Sequence, residues 1–261
     1  MKPRNVLILG NSHTAAPRIA LRDEPARWPD FAPDIFGMPA ADLITLELEG
    51  RVLVTRDADA RRKMVYYNGI PDLPVAGYDA FVVIGGLAFH QQAILQETHR
   101  SLDFPSARRD GNFTPVSTGF VDALLRHQLE HSPALRMVRM LAGLDQGPVL
   151  FLDQVLPSTE CRQDPDQYGA YVALAERGDA ADYRARYLRI LEPLLAGVAI
   201  HLPQPASTMV ADAFTAPEWM RGSIRMQPRR DVPHEASDYG HANPAYGRIQ
   251  VDQITEALAR L

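Results

Sequence analysis

The sequence predicts an α/β fold, a mostly parallel sheet of about five strands with helices packed on both faces. Three observations lead there. Short continuous apolar runs stop at a glycine or a polar turn, as strands buried on both faces do. Stretches with apolar residues at helical spacing lie between those runs. A chain of 261 residues with 46% hydrophobic composition can bury one sizeable core, so one domain spanning 1–261 is the default. No repeat of fixed period and no low-complexity tract interrupts this pattern.

The first run is Asn5–Leu9, closed by Gly10. Ile19, Ala20 and Leu21 then suggest a helix. Pro17 belongs in its first turn or at a kink, because an interior proline loses a backbone bond and clashes with the preceding turn. Asp34–Gly37 (DIFG) is the next strand. The stretch ITLELEGRVLVTR, residues 44–56, alternates with a period of two on either side of Glu49–Gly50, which predicts an antiparallel hairpin inserted at 43–56. Tyr78–Gly86 (YDAFVVIGG) is the clearest internal strand, rich in β-branched residues and closed by a double glycine. Gly147–Leu152 and Gly197–Leu202 are two more. Helices are expected over Phe120–His131 with Ser117 or Thr118 as a cap, over Ala181–Ala196, and from Pro244 to Leu261 with Val251, Ile254, Leu258 and Leu261 facing inward. Residues 203–243 are irregular and proline-rich, and a long structureless segment in a compact domain usually carries function. Its Phe214, Trp219 and Met220 have three readings: a pocket lining, a lid or a partner surface.

Charge narrows the partners. The net charge of −5 gives no footprint for nucleic acid, which needs a concentrated basic surface. Arg61, Arg62 and Lys63, and likewise Arg229 and Arg230, are short clusters that read as solvated surface. Cys161 is the only cysteine, so no internal disulfide can form; it reads as structural and fits a reducing cytoplasm. Lys2 and Arg4 precede an apolar run, Val6–Leu9, that is much shorter than the ~7–15 residues of a signal-peptide core, and no stretch is long enough to span a bilayer.

The chemistry concentrates at two places. Ser12 follows the carboxyl end of the first strand, the edge at which open α/β sheets bind their ligands. A serine hydroxyl is a weak nucleophile that needs a base in hydrogen-bond reach, and the base needs an orienting partner. The stretch SDYGHANPAYG, residues 237–247, supplies both. A carboxylate at Asp238 can take the Nδ1 proton of His241 in a tight turn and leave Nε2 free to face a serine. Tyr239, Asn243 and Tyr246 read as bracing for that loop. His234, Glu235, Asp238 and His241 also form a cluster of possible metal ligands, but their spacing matches no metal signature, so no metal and no cofactor is expected.

The order Gly-Asn-Ser near the start (Gly10, Asn11, Ser12), a strand ending in Gly85-Gly86, and Asp-x-x-His before a C-terminal helix (Asp238, His241) resembles the SGNH/GDSL hydrolase superfamily across nearly the whole chain. The resemblance implies a flavodoxin-like three-layer α/β/α sandwich. It also implies ester hydrolysis or acyl transfer, often on carbohydrates or lipids, with Ser12 as nucleophile, His241 as base and Asp238 as orienter. The expected partner is a small-molecule or carbohydrate ester. Two departures stand out. Asn11 occupies the place of the usual aspartate, and the block that normally reads Gly-x-Asn-Asp is here Gly85-Gly86-Leu87-Ala88, without the asparagine that donates to the oxyanion. Losing such a donor typically costs ~10²–10³ in rate. Candidates to hold the oxyanion are the Ser12 N–H, Gly37 (with Gly69 as the alternative second-block glycine) and the N–H of Gly86 or Leu87. Asn11 reads as a turn-former in a left-handed conformation or as a functional residue. His13 reads as a substrate contact or second base, and His90 as a contact or an ordinary surface histidine. The missing asparagine motivates the competing expectation, a non-catalytic protein of this fold that binds a glycan or acylated ligand. A nucleotide-binding loop is disfavoured, since GNSHTAA lacks a glycine-rich phosphate cradle.

Overall fold

A computed structural model describes residues 5–109 and 111–261; Lys2 and Arg4 lie outside the described residues. Five strands form the central sheet: β1 (Val6–Gly10), β2 (Asp34–Gly37), β3 (Ala80–Ile84), β4 (Val149–Leu152) and β5 (Ile200–Leu202). They lie in the order β5-β4-β3-β1-β2, and every pairing is parallel. That is the flavodoxin-like doubly wound order, whose direction reverses between β1 and β3 and leaves a crevice at their carboxyl ends. The expected strands are all present: Asp34–Gly37 as predicted, the first shifted by one residue, and the other three shorter than their runs.

Alternate residues of the strands feed two cores, as the period of a strand dictates. Val6, Ile8, Val82, Ile84 and Leu150 face the helix Pro244–Ala259 through Ile254 and Leu258. Leu7, Leu9, Phe81, Val83, Val149 and Phe151 face the larger core, built with the helices Ala58–Asn68, Thr118–Glu130, Pro133–Ala142 and Ala180–Leu195. The result is a three-layer α/β/α sandwich. No helix among the described residues is long and apolar enough to cross a membrane.

The hairpin is present as Leu46–Glu49 paired antiparallel with Val52–Thr55, and a short strand Leu73–Pro74 adds to it. Gly69, the alternative second-block glycine, is the left-handed cap of the helix Ala58–Asn68 (φ 76°), so its place is explained by helix termination. Pro17 falls in the first turn of the helix Ala15–Asp23, where no intrahelical N–H is needed. The segment 203–243 is irregular but tightly held. Gln204 accepts from the Leu156 N–H at 2.9 Å and donates to Thr208 and Thr215 at 3.1 and 2.9 Å. Phe214 and Met220 are buried, Phe214 edge-on to Tyr171 and Met220 packed with Ala16, Val155, Ala242 and Tyr246. Trp219 packs against that same cluster. None of the three lines the cleft at the sheet edge, which corrects their reading as its lining or lid: Phe214 and Met220 are buried, and Trp219 is partly covered.

The helix Ala15–Asp23 lies against Pro244–Ala259 at very close range. A Cβ added at Gly247 would stand 2.2 Å from the Ala16 carbonyl oxygen and 2.8 Å from the Pro17 nitrogen, both backbone atoms. Gly247→Ala should therefore destabilise the protein by about 1–3 kcal/mol despite alanine's better helix propensity. Urea denaturation with an unchanged m-value would measure it.

Candidate active site

Ser12 owes its position to the end of β1. A Cβ at Gly10 would stand 2.1 Å from the Ile84 carbonyl oxygen, so only glycine lets β1 run this close to β3 as the chain leaves the sheet. Asn11 then caps a single 3-10 turn, Ser12–Thr14, its Oδ1 accepting the His13 N–H at 3.1 Å. Thr14 Oγ1 donates back to the Asn11 carbonyl at 2.8 Å. Asn11 has extended dihedrals (φ −89°, ψ −157°), so it shapes the turn through its side chain, and the left-handed reading is corrected. Gly85 (φ 71°) makes room for it: a Cβ there would meet Asn11 Oδ1 at 2.3 Å.

The opposite end of the chain supplies the base. Asp238 Oδ1 accepts the backbone N–H groups of Gly240 and His241, each at 3.0 Å, forming the tight turn that the spacing predicts. Asn243 caps the C-terminal helix through the Tyr246 N–H at 3.1 Å and donates to the carbonyls of Glu218 and Arg221 at 2.7 and 2.9 Å. The Tyr239 carbonyl accepts the Ser158 N–H at 2.8 Å, while Tyr246 is buried. Asn243 and Tyr239 tie the loop to its neighbours on both sides.

Ser12 Oγ stands 2.8 Å from His241 Nε2. His241 Nδ1 lies 2.8 and 3.0 Å from the two oxygens of Asp238. Because an ionised carboxylate only accepts, the proton belongs on Nδ1, and Nε2 is left as the acceptor for the serine O–H. The structure brings together the three residues read from the two ends of the chain.

Two further imidazoles flank this relay. His234 Nδ1 reaches Asp238 Oδ2 at 2.6 Å, and its ring stacks on His241 with centroids 4.3 Å apart and planes 12° from parallel. His13 stacks on His241 too, at 4.9 Å and 20°. Burial would raise the Asp238 carboxyl, but hydrogen bonds from His234 and His241 outweigh it and hold the group far below the usual carboxylate range. Burial pushes His13 well down, and the neighbouring His241 pushes it further, so His13 is a neutral ring and a poor second base. His234 is the member of the site that sequence reasoning placed only among possible metal ligands. A second histidine four residues before the aspartate was its only signal.

His90 is buried, not a surface residue: it sits on the first turn of the helix Phe89–Gln92, with its ring 5.2 Å from that of Tyr168. Burial lowers it to about 4, and its Nε2 has no hydrogen-bond partner among the described residues. Cys161 is a buried thiol pushed up to about 12 by desolvation, in keeping with a structural role.

These groups open on a cleft of about 760 Å³ at the carboxyl edge of the sheet. Asn11, Ser12, His13, Gly86, His90 and His241 all line it. Gly37 does not. Its N–H donates to Asn68 Oδ1 at 2.9 Å and its carbonyl accepts from Asn68 Nδ2 at 3.0 Å. The Gly37 N–H is thus already engaged and a Cβ there would strike Met226 Sδ at 2.2 Å, so Gly37 serves packing, and its oxyanion role is corrected. Gly86 keeps its place in the cleft wall with a left-handed φ of 74°.

Gln154, just beyond β4, is the residue that sequence reasoning missed here. Asn11 Oδ1 is fixed as an acceptor by the His13 N–H, so its amide nitrogen faces Gln154 and donates to Oε1 at 3.3 Å. Gln154 Nε2 is thereby left as a donor on the cleft wall, with no partner among the described residues.

Of the four possible metal ligands, Glu235 forms an ion pair with Arg225. The ligand atoms of His234, Asp238 and His241 lie within 4.8 Å of one another, near enough to share an ion, but both imidazoles already meet the carboxylate through Nδ1. The hydrogen bonds to Asp238 aim His241 Nε2 at Ser12 Oγ.

In comparison with known proteins, no family model and no curated protein matches the chain.

The burial of His90 has a measurable consequence. Its folded-state pKa of about 4 lies below the unfolded value near 6.5, so the unfolded state binds more protons between these values. Stability from keeping the ring neutral is complete above pH 6.5 and is lost as pH falls toward 4. His90→Phe should flatten this limb by up to roughly 3 kcal/mol, read from thermal melts recorded across that range.

Proposed function

We propose that this chain is a serine esterase or O-acyltransferase of the SGNH/GDSL type, acting on acyl esters of small polyhydroxylated molecules such as carbohydrates. The observation that carries the reading is the Ser12–His241–Asp238 relay, with 2.8 Å at each contact, opening on a cleft. Ser12 Oγ attacks the acyl carbonyl while His241 Nε2 takes its proton. The carbonyl π electrons move onto oxygen, and collapse of the tetrahedral intermediate expels the alkoxide, which receives the proton from His241. Water or an acceptor hydroxyl then repeats the sequence on the acyl-serine. Asp238 stays ionised throughout and stabilises the imidazolium. Neutral His13 adds no competing positive charge beside it.

The oxyanion falls to the Ser12 N–H, a first-turn donor without an intrahelical partner, and to Gln154 Nε2 in place of the missing asparagine. The substrate class follows from the wall. Gln91, Gln128, Gln167 and Ser237 offer amides and a hydroxyl, a set that suits a sugar better than a long acyl chain. The lone, buried Cys161 favours a cytoplasmic setting.

A fluorophosphonate probe should label the wild type at Ser12 and leave Ser12→Ala unlabelled, and 4-nitrophenyl acetate turnover should vanish in the same variant. No labelling and no turnover, with acetylated sugars still bound, would instead favour a binding protein. Asp238→Asn should lower kcat by roughly 10³–10⁴ with the fold intact. Gln154→Ala should lower kcat by about 10²–10³ with little change in KM, since its donor acts on charge that appears only in the transition state.

A further inference from the structure

A second concave site lies outside the catalytic cleft. Between the helix Ala15–Asp23 and residues 225–231 is a cleft of about 420 Å³ whose wall carries Arg18, Arg22, Arg225, Arg229 and Arg230 and a single carboxylate, Asp231. Met226, itself 7% exposed, closes its inner side by packing on the buried Thr14, with Oγ1 3.6 Å from Sδ.

Two of the five guanidinium groups are neutralised. Arg22 grips Asp231 through both terminal nitrogens at 2.7 and 2.8 Å and also reaches Asp23 at 2.8 Å. Arg225 is ion-paired with Glu235. Arg229 and Arg230 line the same wall, and Arg18 has no carboxylate at contact distance among the described residues. Arg18 is half-buried; desolvation disfavours its charge and Arg22 beside it disfavours it further, while Asp231 offsets part of this from farther away. Arg225 Nε is buried with no hydrogen-bond partner among the described residues. This concentration of positive charge sits on a chain whose net charge is −5, so general basicity does not account for it. A concave wall of one sign focuses the field on whatever enters. Guanidinium forks match phosphate oxygens two at a time.

We infer that this cleft is a binding site for a phosphate-dense group, of the order of a diphosphate, held by Arg18, Arg229 and Arg230. The inference stands independently of the acyl-transfer reading. The same chemistry is offered by a soluble diphosphate and by a phospholipid headgroup, and the test separates them.

Calorimetric titration of the whole chain with inorganic pyrophosphate at physiological ionic strength should give saturable binding. Arg18→Gln, and separately the exposed pair Arg229→Gln with Arg230→Gln, should each weaken it about tenfold or more, as expected for loss of charge-assisted bonds. Melting curves establish that the variants fold, and the exposed pair serves if Arg18→Gln does not. Co-sedimentation with vesicles of phosphatidylglycerol in phosphatidylcholine forms the second arm. Arginine-dependent pyrophosphate binding alone assigns a soluble ligand, and arginine-dependent vesicle binding assigns a headgroup. Absence of saturable binding in both arms, or binding unchanged in the arginine variants, overturns the inference.

Discussion

At Gly247 the last helix meets the first so closely, at Ala16 and Pro17, that no Cβ fits between them. Ala16 is the fourth residue after Ser12 and Gly247 the sixth after His241. The contact thus fixes the distance between two short rigid segments that carry the hydroxyl and the imidazole. A larger residue at 247 would push the helices apart and act directly on a 2.8 Å hydrogen bond. Gly10 does the same for the other side, letting β1 approach β3 so that Ser12 emerges at the reversal of strand order. The geometry of the cleft therefore depends on two positions, Gly10 and Gly247, with no room for a Cβ.

Around the relay, electrostatics and stacking act together. One carboxylate is shared by two imidazoles, and a third, neutral ring covers the other face of His241. The ring of His241 is thus held between two flat neighbours while its edge groups are fixed by Ser12 and Asp238. Its freedom to rotate is lost before any substrate arrives, which is the preorganisation that general-base chemistry needs.

Much of the sheet was legible in the sequence because buried parallel strands write themselves as apolar runs, and YDAFVVIGG and GPVLFL have no other simple reading. The hairpin was legible through its alternation, and Ser12, Asp238 and His241 through residue type and order. What was not legible has physical causes. The helix Ala58–Asn68 is rich in charge, with Ala60 and Met64 as its buried residues, so its apolar stripe is too thin to see. The helix Pro165–Glu176 mixes glycine, alanine and tyrosine with little periodic contrast. Gly37 matched a family position, yet its N–H goes to Asn68, a partner thirty-one residues away that no local pattern reveals. Gln154 gained its place only through a chain of amide orientations starting at the His13 N–H. His234 read only as a possible metal ligand, His90 as a contact or surface histidine, and Arg229 and Arg230 as surface; burial of His90 and clustering of the others in three dimensions set them apart.

The hydroxyl and its base are separated by 229 positions in the chain. Ser12 meets no imidazole base until the segment before the C-terminal helix docks. On a growing polypeptide that helix emerges after the whole sheet, and contacts of such long separation form late in folding. The Ser12–His241 contact is thus made only when the fold is complete. Detachment of this helix would part Ser12 from His241 while leaving the five strands paired.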